Sequence, residues 1–215
     1  MNEKQCKLLV ILAVNAGGVL LISNLVAVKI WSFLGVPVDG GIVLFPISYI
    51  IGDVIIELYG RRIARMVIWQ SLLLNVLAVA AFWVVGELPA HPEWQLQEAY
   101  QSILWFVPRI VLASLLAYLV SQLINNLVFE KIKQETGQKK LWLRALGSSM
   151  VARLCDTMIF ETVAFFGVLS LTEFTKQAIF AYGAGMILEV ILTPLTYLVV
   201  KIFREYGKFT ADALN

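Results

Sequence analysis

Six long apolar runs, separated by short polar stretches, set the pattern of this chain. They cover about residues 8–30, 42–60, 64–86, 103–129, 148–170 and 178–202. Each is close to the roughly 20 residues that a helix needs to cross about 30 Å of hydrocarbon. The pattern predicts an all-α membrane protein with six transmembrane helices in a single domain spanning residues 1–215. Pro37, Asp39, Gly40 and Gly41 mark the loop after the first run. Gln70 and Asn75 interrupt the third, and Pro108-Arg109 opens the fourth. Residues 130–147 are basic and hold Leu141-Trp142-Leu143, which predicts a short helix lying on the membrane surface.

Composition agrees with the pattern. Of 215 residues, 60% are hydrophobic and 15% charged, with a mean hydropathy of +0.80, values foreign to a soluble core. The first apolar run is long and lacks a clear small-residue cleavage site, so no cleaved signal peptide is expected. Cys6 and Cys155 suggest neither a disulfide framework nor a metal site.

Charge then orients the spans. Lys4, Lys7, Arg61, Arg62, Arg65, Lys131, Lys133, Lys139, Lys140, Arg144, Lys201, Arg204 and Lys208, 13 of the 17 Lys and Arg, fall on one side of a six-span arrangement. The loop 87–102, on the other side, has none. The positive-inside rule places both termini in the cytoplasm.

Against this apolar background the charged residues inside the runs stand out. In Phe45-Pro-Ile-Ser-Tyr-Ile-Ile-Gly-Asp-Val-Ile-Ile-Glu-Leu-Tyr-Gly60, a helix stacks Tyr49, Asp53 and Glu57 on one face, with Phe45 a turn above. Asp156 and Glu161 lie in the fifth run and Glu189 in the sixth, so five acids share the membrane interior with one base, Arg153. A buried carboxylate needs a partner, water, a proton or a ligand donor. Structural alternatives stand beside this: Glu57 can snorkel to the surface with an arginine, and Arg153 can pair with one acid. Trp31, Trp83, Trp105 and Trp142 lie near run ends and suit interfacial anchoring; Trp69 and Phe45 lie deeper, where packing competes with stacking on a flat ligand.

Enzymatic classes fit poorly. The one histidine, His91, is in the outer loop, so neither Ser-His nor His-metal chemistry is available within the membrane. Ile51-Gly52-Asp53 is not the Gly-x-Gly-Asp of an intramembrane aspartyl protease, and there is no Walker A loop. No pore-lining repeat marks a channel. A non-enzymatic carrier or substrate-binding membrane subunit remains, without cofactor or metal.

Ser23-Asn24 with Lys29, then Phe45-Pro-x-Ser-Tyr-Ile-x-Gly-Asp53-x-x-x-Glu57-x-Tyr-Gly60 with Ala64-Arg65, and finally Asp156-Thr157, resemble the queuosine precursor transporter family, also called the vitamin uptake transporter family. The resemblance covers essentially the whole chain and is most specific in its first half. It implies import across the inner membrane of a 7-deazaguanine: the cyano or aminomethyl precursor, queuine or queuosine, for salvage into tRNA. It also implies a fold similar to the substrate-binding subunits of energy-coupling-factor transporters. Asn24, Phe45, Asp53, Glu57, Arg153 and Asp156 carry over as substrate-binding residues. Asp53 and Asp156 are expected to hold the polar edge of the heterocycle, Phe45 to pack on its ring, and Arg153 to orient one carboxylate. The resemblance does not extend to Glu161 and Glu189, which are expected, on physical grounds alone, to couple protons. Lipid and the small-molecule substrate are the expected partners, nucleic acid is not, and a homo-oligomer is allowed. The alternative is a binding subunit for another small flat vitamin that needs a separate energy-coupling module.

Overall fold

A computed structural model describes residues 1–136 and 141–209, without the side chains of Phe45, Phe129, Lys133, Thr136 and residues 141–146. The expectations for Lys139, Lys140, Leu141-Trp142-Leu143 and the Phe45 ring therefore fall wholly or partly outside the described residues. The described chain is mostly helical: α1 (Glu3–Val26), a hairpin of β1 (Ile30–Phe33) and β2 (Val36–Asp39), a 3-10 turn (Gly40–Leu44), then α2 (Phe45–Glu87), α3 (Gln97–Leu104), α4 (Val107–Thr136), α5 (Leu141–Phe165) and α6 (Leu171–Gly207). Among the described residues four segments are long and apolar enough to cross a membrane: Glu3–Val26, Pro46–Glu87, Gln97–Ile132 and Leu171–Gly207. In α5 the apolar run is interrupted by Arg153, Asp156 and Glu161.

The element ends differ from the hydropathy pattern for local reasons. α1 starts at Glu3 rather than residue 8 because Asn2 and Gln5 form a reciprocal capping box, each backbone N–H meeting the other's side chain at 2.9 Å. Polar capping turns are invisible to a hydropathy scan. At its other end, Ile30-Trp31-Ser32-Phe33 leaves the helix and pairs with Val36–Asp39. Leu34 (φ 51°) and Gly35 (φ 81°) between them are both left-handed, as a two-residue hairpin turn requires. The expected loop is thus partly β-structure.

α2 is one assigned element of 43 residues with a break inside it. Gly60 has φ 80° and ψ 167°, a backbone state open essentially to glycine alone, and separates arms 45–59 and 61–87. Leu44 precedes Phe45-Pro46, and proline in the first turn costs no helical hydrogen bond. The main core contains Val54, Ile55 and Leu58 from before Gly60, Ala64 and Val67 from after it, Leu8 and Leu12 of α1, and Val200 of α6. In a straight helix Val54 and Val67 would lie about 20 Å apart. The turn at Gly60 lets both arms bury their apolar faces in one cluster.

The outer loop and the fourth span need correction. Gln97–Leu104 is a separate short helix, and α4 begins at Val107, because Pro108 has no N–H and its ring would clash with the carbonyl of Leu104 in a continuous helix. Gln97 and Gln101 both donate to the Gly86 carbonyl, at 2.7 and 2.9 Å, tying α3 to the end of α2. Among the described residues the expected surface helix over 130–147 is not a separate element. Residues 130–136 continue α4 and 141–147 open α5, since Phe-Glu-Lys-Ile-Lys-Gln-Glu contains no helix breaker. α5 ends at Phe165, short of the expected residue 170, and Gly167 (φ 82°) follows it. α6 exceeds the expected 178–202 at both ends.

The chain divides into two compact units. The first comprises Met1–Ile30, Asp39–Val107 and the chain from Ala184; the second comprises Trp31–Val38 and Pro108–Gly183. In the second, Arg109 closes the end of α5: its Nε donates to the Val163 carbonyl at 2.7 Å and Nη2 to the Phe166 carbonyl at 2.6 Å. These are among the carbonyls that a helix C-terminus leaves unpaired.

Candidate functional site

The first unit holds a cavity of about 230 Å³ between the first arm of α2 and the last part of α6. Asp53, Ile56 and Glu57 come from α2; Thr193, Thr196, Tyr197 and Val200 come from α6. Both sets recur at three- and four-residue spacing, the mark of a single helix face. The Glu57 carboxylate accepts from Arg204 Nη2 at 2.9 Å, so this acid has a cation of its own. Thr193 Oγ1 donates to the Glu189 carbonyl at 2.6 Å, whereas Thr196 Oγ1 is buried and meets no partner. Sequence reasoning found the α2 face through its two acids. It missed the α6 face, where Thr193, Thr196 and Tyr197 sit at helical spacing around Pro194 with no charge to mark them.

A larger cleft of about 400 Å³ lies between α1 and the second arm of α2. Its walls are almost wholly apolar, and the hydroxyl of Ser71, one of its few polar groups, already donates to the Val67 carbonyl at 2.9 Å. It offers little to a polar solute.

Two other expected residues lie elsewhere in the first unit. Asn24 is buried and donates through Nδ2 to Asn75 Oδ1 at 2.8 Å, and Asn75, fully buried, donates to the Ser71 carbonyl at 2.8 Å. Glu189 is exposed on α6. Asp39, not among the expected residues, is buried at the end of β2 and accepts from the Gly41 N–H at 2.8 Å. Burial pushes its carboxyl up to about 6, against the opposing pull of the backbone N–H groups of Gly41, Asp39 itself and Ile42.

The second unit gathers the remaining expected residues on α5. Asp156 accepts a hydrogen bond from Ser121 of α4 and lies in the field of Arg153, one turn back on its own helix. Glu161 is 1% exposed and accepts from Gln177 Nε2 at 2.8 Å; Gln177 is equally buried, and its Oε1 has no partner. Among the described residues no cluster of three or more His, Cys, Asp or Glu is arranged to hold a metal ion.

Long apolar helices, here lining a small cavity with carboxylates and hydroxyls, define the class: a membrane protein. In hydrocarbon such groups are costly without a functional partner. The pattern of the family described as "Putative vitamin uptake transporter" matches residues 39–199. A "Probable queuosine precursor transporter" of Bacillus subtilis (strain 168) is 32% identical over 184 residues, 84% of this chain and 79% of the relative. The "Queuosine precursor transporter" of Escherichia coli (strain K12) is 28% identical over 134 residues, 62% of this chain and 58% of the relative. A "Probable queuosine precursor transporter" of Haemophilus influenzae (strain ATCC 51907 / DSM 11121 / KW20 / Rd) is 28% identical over 126 residues, 59% of this chain and 51% of the relative. No solved structure matches the chain. The chain belongs to the vitamin uptake transporter family, the family of the queuosine precursor transporters.

Proposed function

We propose that this protein is a multi-pass transporter of the cytoplasmic (inner) membrane that imports a 7-deazaguanine precursor of queuosine for salvage into tRNA. Family membership supports the class. The observation that carries the substrate reading is the cavity that places Asp53 beside the paired Glu57 on apolar helices. A guanine-like ring offers adjacent N–H donors, and one carboxylate accepts two of them in parallel. In this reading Asp53 accepts that pair. Roles for Asn24, Phe45, Arg153 and Asp156 in binding rest on the family resemblance, and proton coupling by Glu161 or Glu189 rests on their chemistry.

The same reading takes the two arms of α2 as separate crossings and α5 as a further one, giving six. A straight helix of that length would reach about 65 Å, over twice the hydrocarbon thickness. Six crossings gather 13 of the 17 basic residues on the cytoplasmic side with both termini. A fold like the binding subunits of energy-coupling-factor transporters belongs to this reading too.

Liposomes containing only this purified chain test the proposal. Uptake of labelled 7-aminomethyl-7-deazaguanine, lost in Asp53→Asn, is the expected result. Binding without uptake would instead favour a subunit that needs an energy-coupling partner. Absence of both would overturn the substrate reading.

A further inference from the structure

α6 contributes two threonines to the cavity, and it treats them differently. Thr193 satisfies its hydroxyl on the carbonyl one turn back, at Glu189, the usual resort of a threonine inside a helix. Thr196 does not: its Oγ1 is buried with no hydrogen-bond partner. The residue as a whole is half-buried and lines the cavity, so its accessible surface belongs to other atoms. A buried hydroxyl without a partner is unfavourable, and such groups in native proteins call for an explanation. Threonine in a helix occupies two staggered χ1 wells, and the step between them swings Oγ1 by about 120° around the Cα–Cβ bond. The hydroxyl can therefore be presented to a ligand without backbone movement.

We propose that Thr196 is a specificity-determining residue of this cavity, its hydroxyl donating to a ring carbonyl next to the N–H groups that Asp53 accepts. The inference rests on the 7-deazaguanine reading above and deepens it. The polar edge of such a ring runs amino N–H, ring N–H, carbonyl oxygen: two donors and then an acceptor. A carboxylate answers the two donors, and the third position needs a donor from the protein. The other donors at the cavity are committed or peripheral. Thr193 is bonded to Glu189, Arg204 holds Glu57, and Tyr197 is 73% exposed. Thr196 is the buried donor that remains. A volume of about 230 Å³ lies below the roughly 300–1,000 Å³ typical of sites for drug-sized ligands and suits a bare heterocycle.

The test measures binding of two ligands to the full chain in detergent: 7-aminomethyl-7-deazaguanine, and its 6-thio analogue, which keeps both N–H donors but replaces the carbonyl oxygen by weakly accepting sulfur. Wild type should prefer the oxo ligand. Thr196→Val should weaken oxo binding by roughly three- to tenfold, the value of one neutral hydrogen bond, and leave thio binding nearly unchanged. Thr196→Ser should restore the preference. Thermal stability of Thr196→Val should equal or exceed wild type, since the change removes an unpaired buried hydroxyl, so poor folding does not confound the result. Equal binding of both ligands by Thr196→Val and wild type would overturn the assignment. So would a uniform loss on both ligands, which would mark Thr196 as a shape residue. If wild type binds neither ligand, the functional reading itself falls, and this inference with it.

Discussion

Glu57 of α2 and Arg204 of α6 meet at 2.9 Å at the edge of the cavity that also holds Asp53. Both side chains are substantially exposed, 55% and 42%, and exposed pairs of this kind contribute at most about 1 kcal/mol. A double-mutant cycle with Glu57→Gln and Arg204→Gln should therefore give a coupling energy under about 1 kcal/mol in thermal or denaturant unfolding. If Glu57 also serves the ligand, Glu57→Gln should reduce uptake well beyond Arg204→Gln. Equal effects on uptake would assign Glu57 a purely structural pairing.

The hydrogen bond from Asn24 to Asn75 makes the opposite case, because both side chains are buried. Asn75→Ala removes the acceptor of this buried bond and should cost about 1–3 kcal/mol, seen as a lowered unfolding midpoint. Replacing both asparagines by leucine removes both partners of the bond and should cost less than the sum of the single changes. Strict additivity would show that the two amides act independently.

The apolar runs were legible because hydrocarbon imposes them directly on composition, and the α2 acids because four-residue spacing places them on one face. Gly60, followed by Arg61 and Arg62, already marked the boundary between the second and third runs, and its positive φ accounts for the break. The α6 wall of the cavity was not legible, since Thr193, Thr196 and Tyr197 read as an ordinary stretch of an apolar helix. Nor was the pairing of Glu161 with Gln177, which lie on different helices and become neighbours only through packing. The hairpin at residues 30–39 escaped because Pro37, Asp39, Gly40 and Gly41 mark that stretch as a loop, and strands of four residues each are too short to show a period of two.

Gly60 itself supplies a sharp test. A Cβ there would meet no neighbouring atom within 4 Å, so any cost of Gly60→Ala is conformational rather than steric. An L residue held near φ 80°, ψ 167° costs on the order of 1–3 kcal/mol. Gly60→Ala should lower the unfolding midpoint, and Gly52→Ala, at a helical glycine with equally open surroundings, should hold or raise it. Equal midpoints for the two variants would mean that the chain straightens or reverses at Gly60 without needing a glycine.

Asp39 makes stability depend on pH in a direction opposite to most carboxylates. Its carboxylate caps the 3-10 turn that leads into α2, and the glycines after it let that turn lie close to α1. A Cβ on Gly41 would fall 2.8 Å from Asp39 Oδ1 and 3.0 Å from Ser23 Oγ. This close fit keeps water from the carboxyl, and burial raises it from 3.8 to about 6. Between about pH 4 and 6 the folded protein keeps a proton that the unfolded chain has already released. The contribution of Asp39 is therefore most favourable below about pH 4, declines as pH rises to 6, and is constant above that. By linkage the full swing is on the order of 3 kcal/mol. Unfolding midpoints in detergent at pH 5.0 and 7.5 measure it against Asp39→Asn, which keeps an acceptor for the Gly41 N–H but carries no charge. Wild type should lose several degrees more than the variant between the two pH values, and the variant should equal or exceed it at pH 7.5. The same pH response in both proteins would show that Asp39 stays ionised throughout and that its backbone hydrogen bonds outweigh its burial.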